Sequence, residues 1–173
     1  MRIELASLER NKGGFAREYA PEELDFKDDR VRLIGALGAS GRILRDGKRV
    51  RLNGKLTAQT EVDCDRCLSP VAFPVAADFA LQYVTAGDYE ATHAAELEDD
   101  EMELSIFDGE AIDLDELVRE QILLAVPDRL LCGENCKGIC PVCGANQNLK
   151  NCGCQAAEID PRWAALKEMV NGK

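Results

Sequence analysis

The sequence predicts an α+β fold: an antiparallel β-rich body, barrel-like or built on a strongly bent sheet, with one packed helix, then a cysteine-rich C-terminal tail and a short last helix. Three observations carry this. Residues 49–63 and 71–83 alternate apolar and polar side chains, the period of half-buried strands. Asp113 stands before an amphipathic run closed by Pro127, a helix with both its ends marked. Six of the eight cysteines crowd into residues 132–154, beyond that helix.

Taken in order, Ile3, Leu5 and Ser7 alternate with polar neighbours, which predicts a strand over Ile3 to Leu8. Phe15 to Phe26 has no clear period. Val31 and Leu33 beside Arg30 and Arg32 start another strand, bent or bulged at Gly35, Gly38 and Gly41, and Asp46-Gly47 is a hairpin turn. Val50, Leu52, Leu56, Ala58, Thr60 and Val62 then share the inward parity with Gly54, where the strand bends. After the turn Cys64-Asp65-Arg66-Cys67, the inward row resumes with Val71, Phe73, Val75, Ala77, Phe79, Leu81 and Tyr83, and outward Pro74 marks an edge or a bulge. Residues 85–103 are acidic and short of large apolar groups, so they read as a solvated loop; His93 within it has no neighbours suited to catalysis. The helix covers 113–126, with Asp113 and Glu116 in capping-box positions and Leu114, Leu117, Val118, Ile122 and Ala125 on one face. Asp160 and Pro161 open the final helix, which carries Trp163, Leu166 and Val170 on one side. The resulting division is a body at 1–127 and a cysteine-rich tail at 128–173.

The formal net charge of −11 is unevenly spread. Between Arg66 and Arg119 there are fourteen acids and no Lys or Arg, whereas Arg30, Arg32, Arg42, Arg45, Lys48, Arg49, Arg51 and Lys55 face a single acid, Asp46. The total therefore says little about partners. No apolar run approaches the roughly eighteen residues of a membrane span, and MRIELASLERNKGG is charged where a signal peptide would be apolar. A cytoplasmic chain with no membrane partner is expected, and with it reduced thiols that favour metal over disulfides.

Cys140-Pro141-Val142-Cys143-Gly144 has the form of a zinc knuckle, two thiolates three residues apart followed by a glycine that turns backbone N–H groups toward sulfur. Cys152 and Cys154 follow after a gap long enough to complete a tetrahedron. The pair Cys64 and Cys67 and the pair Cys132 and Cys136 make a second four-cysteine site one reading among three. In another, Cys132 and Cys136 join the knuckle; in the third, Cys64 and Cys67 are a redox dithiol whose thiolate Arg66 favours. A site of four cysteines leaves no open position on zinc, so both metals would be structural.

The turn Cys64-Asp65-Arg66-Cys67-Leu68, the helix from Ile112-Asp113-Leu114 to Leu124 and Pro127, and Cys136-Lys137-Gly138-Ile139-Cys140-Pro141-Val142-Cys143-Gly144 with Asn146 and Asn148 resemble the YceD-like family. Many relatives have leucine where this chain has Ile139. The resemblance covers most of the chain. It implies a non-enzymatic factor for the synthesis, processing or stability of 23S rRNA, and it favours grouping Cys64 and Cys67 with Cys132 and Cys136.

The leading expectation is accordingly a ribosome biogenesis factor whose partners are pre-ribosomal large-subunit components, rRNA or a basic ribosomal protein. The eight cations from Arg30 to Lys55 are its candidate phosphate contacts, although no outward aromatic accompanies them for base stacking. A zinc-stapled protein-interaction module without RNA contact is the alternative, and a thiol redox switch the second.

Overall fold

In the computed structural model, which describes residues 1–92, 104–155 and 162, both alternating runs are long strands. The elements in order are β1 (Arg2–Glu4), a 3-10 turn (Leu5–Ser7), β2 (Lys12–Tyr19), β3 (Val31–Asp46), β4 (Arg49–Asp63), β5 (Pro70–Thr85), α1 (Ala86–Thr92), β6 (Leu104–Phe107), β7 (Ala111–Asp113) and α2 (Leu114–Ala125). Five strands form one sheet in the order β2-β3-β4-β5-β6, and β1 pairs with β7. β2, β3 and β4 run antiparallel, but β6 joins β5 in parallel, so the sheet is mixed. β2 and β6 lie at its two ends, and among the described residues it does not close into a barrel.

The chain divides into two units. One is Met1–Val62 with Val71–Asp128; the other joins Asp63–Pro70 to the described residues from Arg129 onward. No helix among the described residues is long and apolar enough to cross a membrane.

In the first unit the inward row of β4 is buried throughout, from Val50 to Val62, and only Gly54 interrupts it. Gly54 faces Gly41 across the β3–β4 ladder. Rings stand where both side chains would be: a Cβ on Gly41 would come within 2.6 Å of Phe15 and one on Gly54 within 2.5 Å of Phe79. Bare backbone here lets the two rings lie against the sheet. The glycine-rich start of β3 carries a register shift between Leu33 and Leu37. Along β5 the inward parity holds to Phe79 and then shifts, so that Val84 rather than Tyr83 is buried. Asp113 caps α2 by accepting from the N–H groups of Asp115 and Glu116, and Leu114, Leu117, Val118 and Ile122 form its buried face.

Three further expectations change. The strand expected over Ile3 to Leu8 stops at Glu4, because in the antiparallel ladder Glu4 faces Ala111, where β7 begins, and no further rung lies beyond it; Leu5 turns inward in the 3-10 turn instead. Phe15 lies within β2, whose Gly13, Gly14 and Ala16 dilute the alternation that would have marked it. The first part of the expected loop at 85–103 is helical, as α1. Thr85 and Asp88 cap it reciprocally: the Thr85 hydroxyl donates to the Asp88 carboxylate at 2.8 Å and accepts from the Asp88 N–H at 3.2 Å. Residues 93–103, with His93, and the expected helix with Trp163, Leu166 and Val170 lie outside the described residues.

Candidate metal centres and the basic sheet face

The second unit is organised by two knuckles of the same hydrogen-bonded design. In the first, the Cys64 N–H donates to the Ser69 carbonyl at 2.9 Å and the Leu68 N–H to the Cys64 carbonyl at 2.9 Å. In the second, the Cys140 N–H donates to the Ala145 carbonyl and the Gly144 N–H to the Cys140 carbonyl, both at 2.8 Å. The residue after the second cysteine is left-handed in both, Leu68 at φ 57° and Gly144 at φ 73°. This closes the turn and directs backbone N–H groups at sulfur.

The tail comes to the first knuckle through named contacts. Asp65 exchanges two hydrogen bonds with Leu130, its N–H to the Leu130 carbonyl and its carboxylate from the Leu130 N–H. The Arg66 guanidinium donates to the Cys136 carbonyl at 3.0 Å, and the Cys132 N–H reaches Cys64 Sγ at 3.3 Å. Asn146 donates to the Ser69 hydroxyl at 2.9 Å, and Asn148 to Cys136 Sγ at 3.4 Å. The cysteines thereby fall into two groups, Cys64, Cys67, Cys132 and Cys136, and Cys140, Cys143, Cys152 and Cys154, with the sulfurs of each within 4.8 Å of one another. Of the groupings left open by spacing, this is the one the fold assembles.

Four sulfurs about 2.3 Å from a zinc ion in a tetrahedron stand about 3.8 Å apart. Cys64 and Cys136 Sγ are 3.8 Å apart, and Cys67 and Cys132 Sγ 3.6 Å. Spacing and donor chemistry both suit a thiophilic dication such as zinc. The first group is the more enclosed, with only Cys132 exposed; in the second Cys140 is buried, Cys152 half-buried, and Cys143 and Cys154 are exposed.

The proton balance within each group is compatible with a bound cation. The Ser69 hydroxyl and N–H pull the Cys67 thiol down to about 6. The N–H groups of Cys143 and Val142 pull Cys140 down to about 6. Burial pushes Cys64 up, but N–H groups from Arg66, Cys67 and Cys132 outweigh it and leave it lowered. Cys132, beside Cys67 and Cys136, is pushed up to about 12, and so is Cys154 beside Cys143 and Cys152. The first thiolates in each group form readily, and their charge then holds back the last; a dication removes that conflict. Ser69, which no spacing rule identifies, and Asn146 and Asn148, which belong to the motif behind the resemblance, are supporting residues.

The eight basic candidates lie apart from these centres, and the register sorts them. Arg42, Arg51 and Lys55 project from the exposed parity of β3 and β4, and Lys12 of β2 joins their face. Arg49 shares that parity at the start of β4. Arg32 is there too, but pairs with Glu61 at 3.3 Å. Arg45 falls on the other parity, opposite Val50. Lys48, in the hairpin turn, pairs with Asp88 at 2.6 Å, and Arg30 lies before β3 beside Asp28. Lys12 is too far in sequence from the basic run to have been grouped with it.

A sequence profile described as "Large ribosomal RNA subunit accumulation protein YceD" matches residues 52–170. The chain is 29% identical to an uncharacterized protein of Mycobacterium tuberculosis, over 98% of this chain and 81% of that one. It is 26% identical to the uncharacterized protein YlbN of Bacillus subtilis, over 86% and 82%. It is 25% identical to the chloroplastic large ribosomal RNA subunit accumulation protein YCED homolog 1 of Arabidopsis thaliana, over 72% of this chain and 45% of the plant protein. No solved structure matches the chain.

Proposed function

Because this chain belongs to the YceD family of large ribosomal RNA subunit accumulation proteins, we propose that it is a non-enzymatic, cytoplasmic factor supporting 23S rRNA synthesis, processing or stability. Its partners are components of the maturing large subunit, either the rRNA or a basic ribosomal protein. The family match carries the reading, since it covers both knuckles as well as α2. The two groups of four cysteines support the structural part of it. They are the ligands of two zinc ions that fix the second unit, and four thiolates fill the coordination shell that a catalytic zinc would leave open. Deleting the gene in its host should lower 23S relative to 16S rRNA, and the wild-type gene should restore the ratio. An unchanged ratio would overturn the proposal.

A second reading, a protein-interaction module that never touches RNA, is favoured by one observation. Arg30, Arg32, Lys48 and Arg51 each have a carboxylate within 4.0 Å, which lowers the positive charge on offer. Crosslinking in cells separates the two: adducts to RNA through β2–β4 support the first, and adducts to protein alone the second.

A further inference from the structure

We infer that the exposed face of β2, β3 and β4 binds the sugar–phosphate backbone of double-stranded RNA. The inference rests on the proposed role in rRNA accumulation and names the ligand class and the residues. The register fixes the face as successive rungs: Lys12, Leu44 and Arg51; Gly14, Arg42 and Asn53; Ala16, Ser40 and Lys55; Glu18, Gly38 and Thr57. Neighbouring strands lie about 4.8 Å apart and alternate residues about 6.8 Å along a strand, so Arg42 stands about 8 Å from each of Lys12, Arg51 and Lys55. Four long, exposed cations at that spacing suit an extended polyanion better than a single anion. Among the described residues Lys12, Arg42 and Lys55 make no ion pair, while Arg51 reaches Asp46 at only 3.9 Å.

Two shallow hollows adjoin on this face and share Ser40 and Lys55. One is floored by Ala16, Gly38, Ser40 and Thr57; the other is lined by Arg42, Asn53, Lys55 and Asp78. Small side chains there let a rigid surface come close to the sheet. The face carries no outward aromatic on which an unpaired base could stack, which argues against single-stranded ligands. Ser40, Asn53, Thr57 and Asp78 instead offer hydroxyl, amide and carboxylate groups beside the cations, the partners that a ribose 2′-hydroxyl takes. Shape, phosphate and 2′-hydroxyl contacts are how proteins recognise A-form RNA. Glu18 and Asp78 border the cations, limiting the footprint to about three or four phosphates and giving a log affinity against log salt slope of about −3.

The test uses the full, metal-loaded chain and fluorescence anisotropy with an RNA duplex of about 16 base pairs, a DNA duplex of the same sequence and the separate RNA strands. The RNA duplex should bind most tightly, weakening about 60-fold between about 50 and 200 mM salt. Arg42→Ala with Lys55→Ala should reduce the slope by about 2, whereas Lys48→Ala should leave it unchanged. Asn53→Ala with Asp78→Ala should narrow the preference for RNA over DNA. Equal affinity for both duplexes, tighter binding of single strands, or a double cation variant that binds like wild type would overturn the inference. Returning that variant to a deletion strain separates this from the broader proposal. If deletion lowers 23S rRNA but the variant restores it fully, only the duplex site fails; if deletion changes nothing, the wider reading fails.

Discussion

Leu68 occupies in the first knuckle the position that Gly144 occupies in the second. Each donates its N–H to the carbonyl of the knuckle's first cysteine, and each is left-handed, at φ 57° and φ 73°. A leucine in this conformation is uncommon, costing about 1–2 kcal/mol relative to the right-handed form. The residue is 60% exposed, so packing recovers little of that cost.

Leu68→Gly should therefore leave the protein as stable as wild type or stabilise it by up to about 1 kcal/mol, since lost strain outweighs the added freedom of the unfolded chain. The converse change, Gly144→Leu, should destabilise the second knuckle by about 1–2 kcal/mol. Chelator-competition midpoints of the two variants, measured on metal-loaded protein, check both signs.

Cys143→Ser should lower bound metal from two equivalents per chain to one. Far-UV circular dichroism should keep its β signal, because the altered group lies in the second unit while β2 to β6, apart from the end residues Asp63 and Pro70, belong to the first. Equal loss of metal and of β signal would contradict the division into two units.

Gly54→Ala should cost about 3 kcal/mol or prevent folding. The new Cβ would lie 2.5 Å from Phe79 and 2.8 Å from the Ser40 carbonyl, and neither the ring nor the backbone can move cheaply in a packed sheet. Gly38→Ala is the control: its Cβ would meet nothing closer than Thr57 Oγ1 at 3.8 Å, so urea midpoints should differ little from wild type.

Asp115 gives the first unit a pH dependence. Burial pushes its carboxyl up, but donation from the Met1 amino group and the Tyr19 hydroxyl, with Arg17 nearby, outweighs this and holds it below the usual range. A folded value below the unfolded one, about 3.9, stabilises the protein above that pH; the contribution fades as pH falls through the folded value. Asp115→Asn should flatten the acid limb of a stability profile. Tyr19→Phe, which removes a 2.8 Å hydrogen bond to the same carboxylate, should cost about 1.5 kcal/mol at neutral pH.

Parity was the most legible part of this sequence. Alternation over Val50 to Val62 foretold a row that is buried at every non-glycine position, and Asp113 foretold the cap of α2. Thr85 and Asp88 also signalled α1, but the acidic composition that follows them masked it. Sheet order was not legible, because the parallel addition of β6 depends on contacts between residues far apart in sequence. For the same reason the basic run read as one row, whereas pairing between strands removes Arg45 and admits Lys12.

Both tetrads were legible, the second from spacing and the first as one of three readings that the family resemblance favoured. Spacing alone leaves Cys64 and Cys67 free to pair with several partners. What selects Cys132 and Cys136 is the Asp65 exchange with Leu130, the Arg66 contact to the Cys136 carbonyl and the Asn148 contact to its sulfur. Asp65, Arg66 and Asn148 stand in the motifs that carry the resemblance, but their contacts across the chain are not visible in spacing alone.

The first tetrad also carries a timetable. Cys64 emerges from the translation machinery 72 residues ahead of Cys136, a delay of roughly 4–14 s at ordinary elongation rates. During that interval β4 and β5 can pair while the two early thiols wait unfilled, open to any soft cation or electrophile nearby. Pairing of β4 with β5 can thus precede closure of the first tetrad, which has to wait for Cys136.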